Sequence, residues 1–262
     1  MSEITKEKLC KIRKFNVFMG VLHLIQGLLM LTAALTIDLV RNFTPAVFTN
    51  FLKFDEIAGT LVTNTNLLFE LPFAVFVSVF LLLSSMAHFI IASPRFNNVY
   101  NNGLKKGINH FRWYEYSISS SIMIVLIALL FGINDLGALI LIFGLNMTMN
   151  LLGLLMEKHN QTTDKTDWTS FIVGSVAGII PWIVVTMFAF GNSDLSMVPW
   201  FVYAIFASYF LFFNLFPINM VLQYMKVGKW KDYLYGEKIY IVLSLVSKSI
   251  LAWIVFAGIM QP

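Results

Sequence analysis

The sequence predicts an all-α membrane protein, a single bundle of seven transmembrane helices, and three observations predict it. Of the 262 residues, 58% are hydrophobic, and the mean hydropathy is +0.77. Only 12% are charged, half of the roughly 25% usual in soluble domains. Apolar runs of the length needed to cross a bilayer, about 20 residues, recur along the whole chain. The charge deficit is not confined to one part, so residues 1–262 are read as one domain without a soluble appendage. The chain ends at Pro262, so no fused output domain is expected.

The seven predicted spans are Phe15–Leu35, Leu71–Ala92, Gly107–Phe131, Ala138–Met156, Phe171–Phe190, Met197–Tyr224 and Tyr240–Met260. The first follows a lysine-rich leader, as a signal peptide would. Its apolar run exceeds the roughly 7–15 residues of a signal h-region, so it is read as a retained helix. Pro181 and Pro217 fall inside the fifth and sixth spans, where membrane helices tolerate proline. The first outer loop, Thr36–Glu70, is much longer than most connections. Its stretch Thr60–Thr65 is rich in strand-forming threonine and valine, which suits a small β-hairpin.

Orientation follows from the basic residues. All but Arg41, Lys53 and Lys248 of the 18 lysines and arginines fall in the leader, the second-to-third connection with the start of span three, and the fourth-to-fifth and sixth-to-seventh loops. These lie on one side, so the N-terminus is predicted to be cytoplasmic and the C-terminus extracellular. The pI near 9.1 is then a topology signal and not the footprint of nucleic-acid binding. Cys10 is the only cysteine, which excludes an internal disulfide and a cysteine-based metal site.

Lys248, in LVSKSILAW, lies eight residues from the inner end of its predicted span, about 12 Å deep. A charged lysine near mid-membrane costs about 2.5–3.5 kcal/mol. Two arrangements relieve it: a covalent Schiff base with a carbonyl compound, or a salt bridge inside the bundle. Glu115, in FRWYEYSISSS, is also eight residues from its inner span end. Both spans run outward, so the two groups are expected at similar depth. An anion there would keep a Schiff base protonated. The bland alternative is a neutral Glu115 that is only hydrogen-bonded.

Polar residues gather around this pair. Ser244 is one turn before Lys248, and Ser119 one turn after Glu115 with Ser120 and Ser121 beside it. They serve either the site or close helix packing. His23, with Gln26 at i+3, and His88 are either satisfied interior histidines or proton acceptors. Trp182, Phe210, Phe213 and Trp253 could form a slot for a chromophore, although with 25 phenylalanines aromatics alone decide nothing.

At these residues the sequence resembles the heliorhodopsins, microbial-type retinal proteins with inverted membrane orientation. The resemblance runs from GVLHLIQ around His23, through HFRWYEYSISSSIMIVLIA and GIIPWIV, to KIYIVLSLVSKSILAW around Lys248. Departures fall in surface loops. The resemblance implies all-trans retinal on Lys248, with Glu115 as counterion. It implies an inner polar cluster of His23, Gln26, Ser84, His88 and Ser244, and an inner-side ion pair of Arg112 with Glu157. Phe213 corresponds to a ring-facing aromatic, and Asn146 is counted with the retinal-binding residues. A homodimer with a strand-bearing first outer loop is also implied.

The resulting expectation is a slow-cycling light sensor whose cytoplasmic face is read by an unknown signalling partner. Outward proton pumps among the relatives carry two carboxylates about three turns apart on the third helix. Eleven residues from Glu115 stand Leu126 and Leu104, which carry no proton, so pumping is not expected. A passive light-gated proton path remains the alternative, because some viral relatives conduct protons. The other rival is an enzyme or small-molecule transporter. No HExxH, GxSxG or clustered metal-ligand motif supports an enzyme, and no paired interrupted spans suggest a transporter.

Overall fold

A computed structural model describes residues 4–191 and 199–260. Among the described residues seven helices are long and apolar enough to cross a membrane: α1 (Lys6–Thr36), α3 (Phe73–Ala92), α5 (His110–Leu130), α6 (Leu136–His159), α7 (Thr169–Phe190), α8 (Trp200–Tyr224) and α9 (Tyr233–Ile259). Short helices α2 (Asp38–Arg41) and α4 (Asn97–Lys105) join them, with strands β1 (Ala46–Asp55) and β2 (Thr60–Glu70) between α2 and α3. The seven-helix expectation is met. The predicted first residues of the sixth span, Met197 and Val198, lie outside the described residues.

Four of the seven long helices, α1, α5, α6 and α9, start at a side-chain cap, which a hydropathy reading does not see. Thr5 accepts from the Lys8 amide at 3.3 Å, and α1 therefore begins nine residues before the predicted Phe15. Glu7 and Lys11 pair across that first stretch at 2.5 Å. Asp232 accepts from the Leu234 amide at 3.1 Å and starts α9 seven residues before the predicted Tyr240. Asn109 and Asp135 cap α5 and α6 in the same way. An oxygen at these positions satisfies amides that have no partner inside the helix. The connection between the second and third spans contains α4, whose Tyr100 and Leu104 are buried.

The helices close into a bundle. α1 packs on α3, α3 on α5, α5 on α6, α6 on α7 and α8 on α9, while α9 also touches α1 and α3. One apolar core fills the half of the bundle near the β-hairpin, centred on Phe73, Phe80, Ile127, Val185 and Phe256. Two smaller clusters, around Ile12, Tyr100 and Leu104 and around Trp113, Met156 and Tyr240, occupy the other half. Buried polar side chains sit among and between these clusters, at the levels of Lys248 and Arg112.

The hairpin is larger than Thr60–Thr65. β1 and β2 pair antiparallel from Ala46↔Glu70 to Asp55↔Thr60, with an irregularity at Val47/Phe48. Gly59 closes the turn at φ 61°, a conformation glycine adopts without strain. An isolated two-stranded hairpin is marginal in water. This one is anchored to the bundle where the Phe48 amide donates to Asn134 O at 2.9 Å and Asn50 donates to Asp135 at 3.1 Å. Every position of β2 is exposed.

Candidate functional site

Lys248 is 3% exposed, in the middle of α9. Its Nζ lies 2.6 Å from Glu115 Oε1 and 2.5 Å from Ser84 Oγ. Ser84, from α3, accepts from the lysine and donates to Glu115 Oε1 at 2.6 Å. Three helices thus converge on one charge pair. The Tyr116 ring lies 5.4 Å from Nζ and offers its face to the cation. Lys248 and Glu115, the pair the sequence brings forward, are in direct contact.

On one side of Lys248 opens a cavity of about 290 Å³, lined by α5, α6, α7, α8 and α9. Its aromatic walls include Trp113, Tyr116, Trp182, Tyr209, Phe210 and Phe213. Trp182 anchors one end, with its ring centroid 5.3 Å from Tyr209, 5.2 Å from Phe210 and 5.5 Å from Phe213. Ser119 and Ser120 also line the space. Two glycines make the walls fit together. A Cβ on Gly178 would lie 2.2 Å from Met149 Sδ, and one on Gly153 would lie 2.4 Å from the Trp113 ring. A buried amine at the mouth of an apolar, aromatic cavity suits an elongated apolar aldehyde such as retinal.

Some sequence candidates stand elsewhere. Asn146 does not line this cavity. Its amide donates to Ser120 at 2.8 Å and to Ser121 at 3.0 Å, which supports the wall from behind. Trp253 is half exposed and donates to Gln26 at 3.2 Å. Gln26, three residues past His23 and so 60° short of a full turn from it, meets α9 at this tryptophan. His23 is fully buried and stacks on His88, with ring centroids 5.6 Å apart. Among the described residues neither ring nitrogen of His23 has a hydrogen-bond partner.

A second, smaller cavity of about 40 Å³ begins on the other side of the pair. Glu115, Ser84 and Ser244 line it at one end, and Arg112, Asn109 and Glu237 at the other, with His88 and Asn16 between them. Side chains form a continuous chain along it. His88 Nδ1 bonds Asn16 Oδ1 at 2.8 Å, Asn16 donates to the Tyr100 hydroxyl at 3.3 Å, and that hydroxyl donates to Glu237 at 3.3 Å.

Arg112 contacts Glu157, as the resemblance implied, and also Glu237. The guanidinium lies 4.0 Å from the Tyr240 ring centroid. Asn109 donates to Glu237 at 2.6 Å, and Trp113 donates to Glu157 at 2.7 Å. Glu237 was missed because the predicted seventh span starts at Tyr240, which left it in a loop. Asp232, a helix-capping residue five positions upstream, is the signal that would have extended the helix over it. Asn16 and Tyr100 gave no such signal, since a polar residue in an apolar run does not name its partner.

A family model described as Heliorhodopsin matches residues 12–260. No curated protein matches the chain.

Proposed function

The chain belongs to the heliorhodopsin family of retinal-binding rhodopsins, and from that premise we propose that it is a light-sensing photoreceptor with a slow photocycle and no pumping activity. All-trans retinal is held on Lys248 as a protonated Schiff base, with Glu115 as its counterion. The observation that carries this reading is the Lys248–Glu115 contact of 2.6 Å at the mouth of the aromatic cavity.

Retinal, when bound, supplies visible absorption and a light-driven change of shape. The remaining work falls to the chain's own residues. Glu115 and Ser84 balance the positive charge at Lys248, an interaction strengthened by the low dielectric of the bundle. The walls around Trp182 and Phe213 confine an apolar ligand and exclude water. His23 and His88 lie within the same polar region as Glu115 and can hold a proton there. No carboxylate stands about three turns from Glu115 on α5, where Leu126 lies eleven residues on. This supports sensing over pumping, and the reading assigns no enzymatic reaction.

The distribution of the basic residues supports a cytoplasmic N-terminus, on the side where a signalling partner would read the altered state. The exposed hairpin supports a homodimer. The decisive experiment is reconstitution with all-trans retinal, followed by borohydride reduction under illumination and mass spectrometry. A visible pigment with a retinyl adduct on Lys248 is expected. A colourless protein, or an adduct elsewhere, would overturn the reading, and a sustained photocurrent under voltage clamp would replace sensing with conduction.

A further inference from the structure

We propose that Glu237, clamped with Glu157 on Arg112, is the distal proton acceptor of the site. The inference rests on the photoreceptor reading and extends it to a residue at the far end of the small cavity.

The charge count comes first. Arg112, Glu157 and Glu237 are each nearly inaccessible to solvent. One guanidinium faces two carboxylates, so with both ionised the group carries one net negative charge. An uncompensated charge is costly in such a setting. The other titratable groups around Glu237 are the phenols of Tyr100 on α4, of Tyr116 on α5, and of Tyr233 and Tyr240 on α9 itself. None is a cation. One arriving proton makes the cluster neutral without breaking the Arg112–Glu157 contact.

The route comes second. The small cavity touches Glu115 at one end and Glu237 at the other. Its volume of about 40 Å³ exceeds the roughly 10–15 Å³ that one water needs, and its lining is polar enough to hold one. Arg112 Nε is buried, has no hydrogen-bond partner among the described residues, and belongs to a residue lining this space. Beside the cavity runs the chain from His88 through Asn16 and the Tyr100 hydroxyl to Glu237 Oε1.

In the transfer, the bond from nitrogen to hydrogen at Lys248 breaks, and its electron pair stays on nitrogen. The proton ends on a Glu237 carboxylate oxygen as a new O–H bond. Nothing is oxidised or reduced, and the reverse transfer restores the starting state. Because Glu237 is buried and paired, the proton is stored and not released.

Infrared spectroscopy on two preparations tests this. In retinal-free protein titrated with acid, a carboxylic C=O band is expected that disappears in Glu237→Gln and changes frequency in Glu237→Asp. The aspartate variant keeps the test decisive if the glutamine variant fails to fold. In retinal-loaded protein, light-minus-dark spectra are expected to show the same band rising as the Lys248 proton leaves. Tyr100→Phe removes a donor to Glu237 and should slow that rise about tenfold, the equivalent of about 1.4 kcal/mol of lost stabilisation at the acceptor. If neither band responds to the Glu237 variants in a protein that is coloured and photocycles, the acceptor assignment fails and the photoreceptor reading stands. If the protein is colourless, the photoreceptor reading fails, and a band insensitive to the Glu237 variants in the retinal-free titration overturns the assignment as well.

Discussion

Lys248 and Glu237 lie eleven residues apart on α9, about three turns, and so share one face of the helix. Each meets a residue of α5: Glu115 for the lysine and Arg112 for the glutamate. Those partners are three residues apart, so the two helices exchange charge of opposite sign twice along one seam. The upper pair borders the aromatic cavity. The lower one reaches the helix ends near the basic loops.

Lys248→Ala should abolish visible absorbance after reconstitution with retinal. Among the described residues no other lysine lines the cavity, and alanine provides no amine. Absorbance spectra of the purified variant check this, and retained colour would place the attachment elsewhere.

Glu115→Gln should shift the absorbance maximum to longer wavelength. The anion 2.6 Å from Nζ favours positive charge at that end of the chromophore, and removing it lets the charge spread on excitation. Ser84 would still accept from the nitrogen but brings no charge. An unchanged spectrum would mean that another anion serves as counterion.

Part of this site could be read from sequence because a lysine within an apolar run has few physical explanations. Lys248 and Glu115 stood out as charges whose burial demands a partner. The inner cluster was only partly legible. Span seven was delimited by hydropathy, which loses a helix where it leaves the apolar region, and Glu237 went with the lost turns. Asp232 and Thr5 set those ends by hydrogen bonding. Gln26 shows another gap: helical periodicity fixes a face to within a turn, while the neighbour on that face depends on packing. Gly153 and Gly178 likewise gave no hint of the Trp113 and Met149 side chains that occupy their missing Cβ positions.

Gly153→Ala and Gly178→Ala should differ in effect. A methyl at Gly178 meets the flexible sulfur end of Met149, which can swing into the cavity. Lower pigment yield with near-normal stability is expected. A methyl at Gly153 meets the Trp113 ring, which Glu157 holds by its Nε1. That ring has little freedom, and a loss of about 1–3 kcal/mol is expected from overpacking. Thermal unfolding and retinal titration of both variants distinguish these outcomes. Equal loss of stability in both would refute the contrast.

Arg112→Ala should be far more damaging than Glu157→Gln. Removing the guanidinium leaves two buried carboxylates without a cation, and breaking a buried ion pair in this way costs about 3–5 kcal/mol. Glutamine at 157 keeps an acceptor for Trp113 and leaves Arg112 balanced by Glu237. Denaturation in detergent or lipid reports the difference. Comparable stability of the two variants would show that the cluster is not held by charge balance.

The hairpin provides the last test, through the proposed dimer. Leu52 pairs with Thr63 and Phe54 with Leu61 across the strands. Residues two apart on a strand share a face, so Leu52, Phe54 and Leu61 form one apolar surface. Leu52 is 70% exposed and Phe54 56%, which in a single chain leaves both in water. Burying such a side chain contributes about 1.5–3 kcal/mol. Leu52→Glu with Phe54→Glu should therefore weaken association by about 100-fold or more, at roughly tenfold per 1.4 kcal/mol. Mass photometry in nanodiscs or detergent measures this directly. Pigment absorbance should not change, because the hairpin contacts the bundle at Asn134 and Asp135, away from Lys248. Unaltered dimerisation in the double variant would show that copies of this chain do not meet through that face of the hairpin.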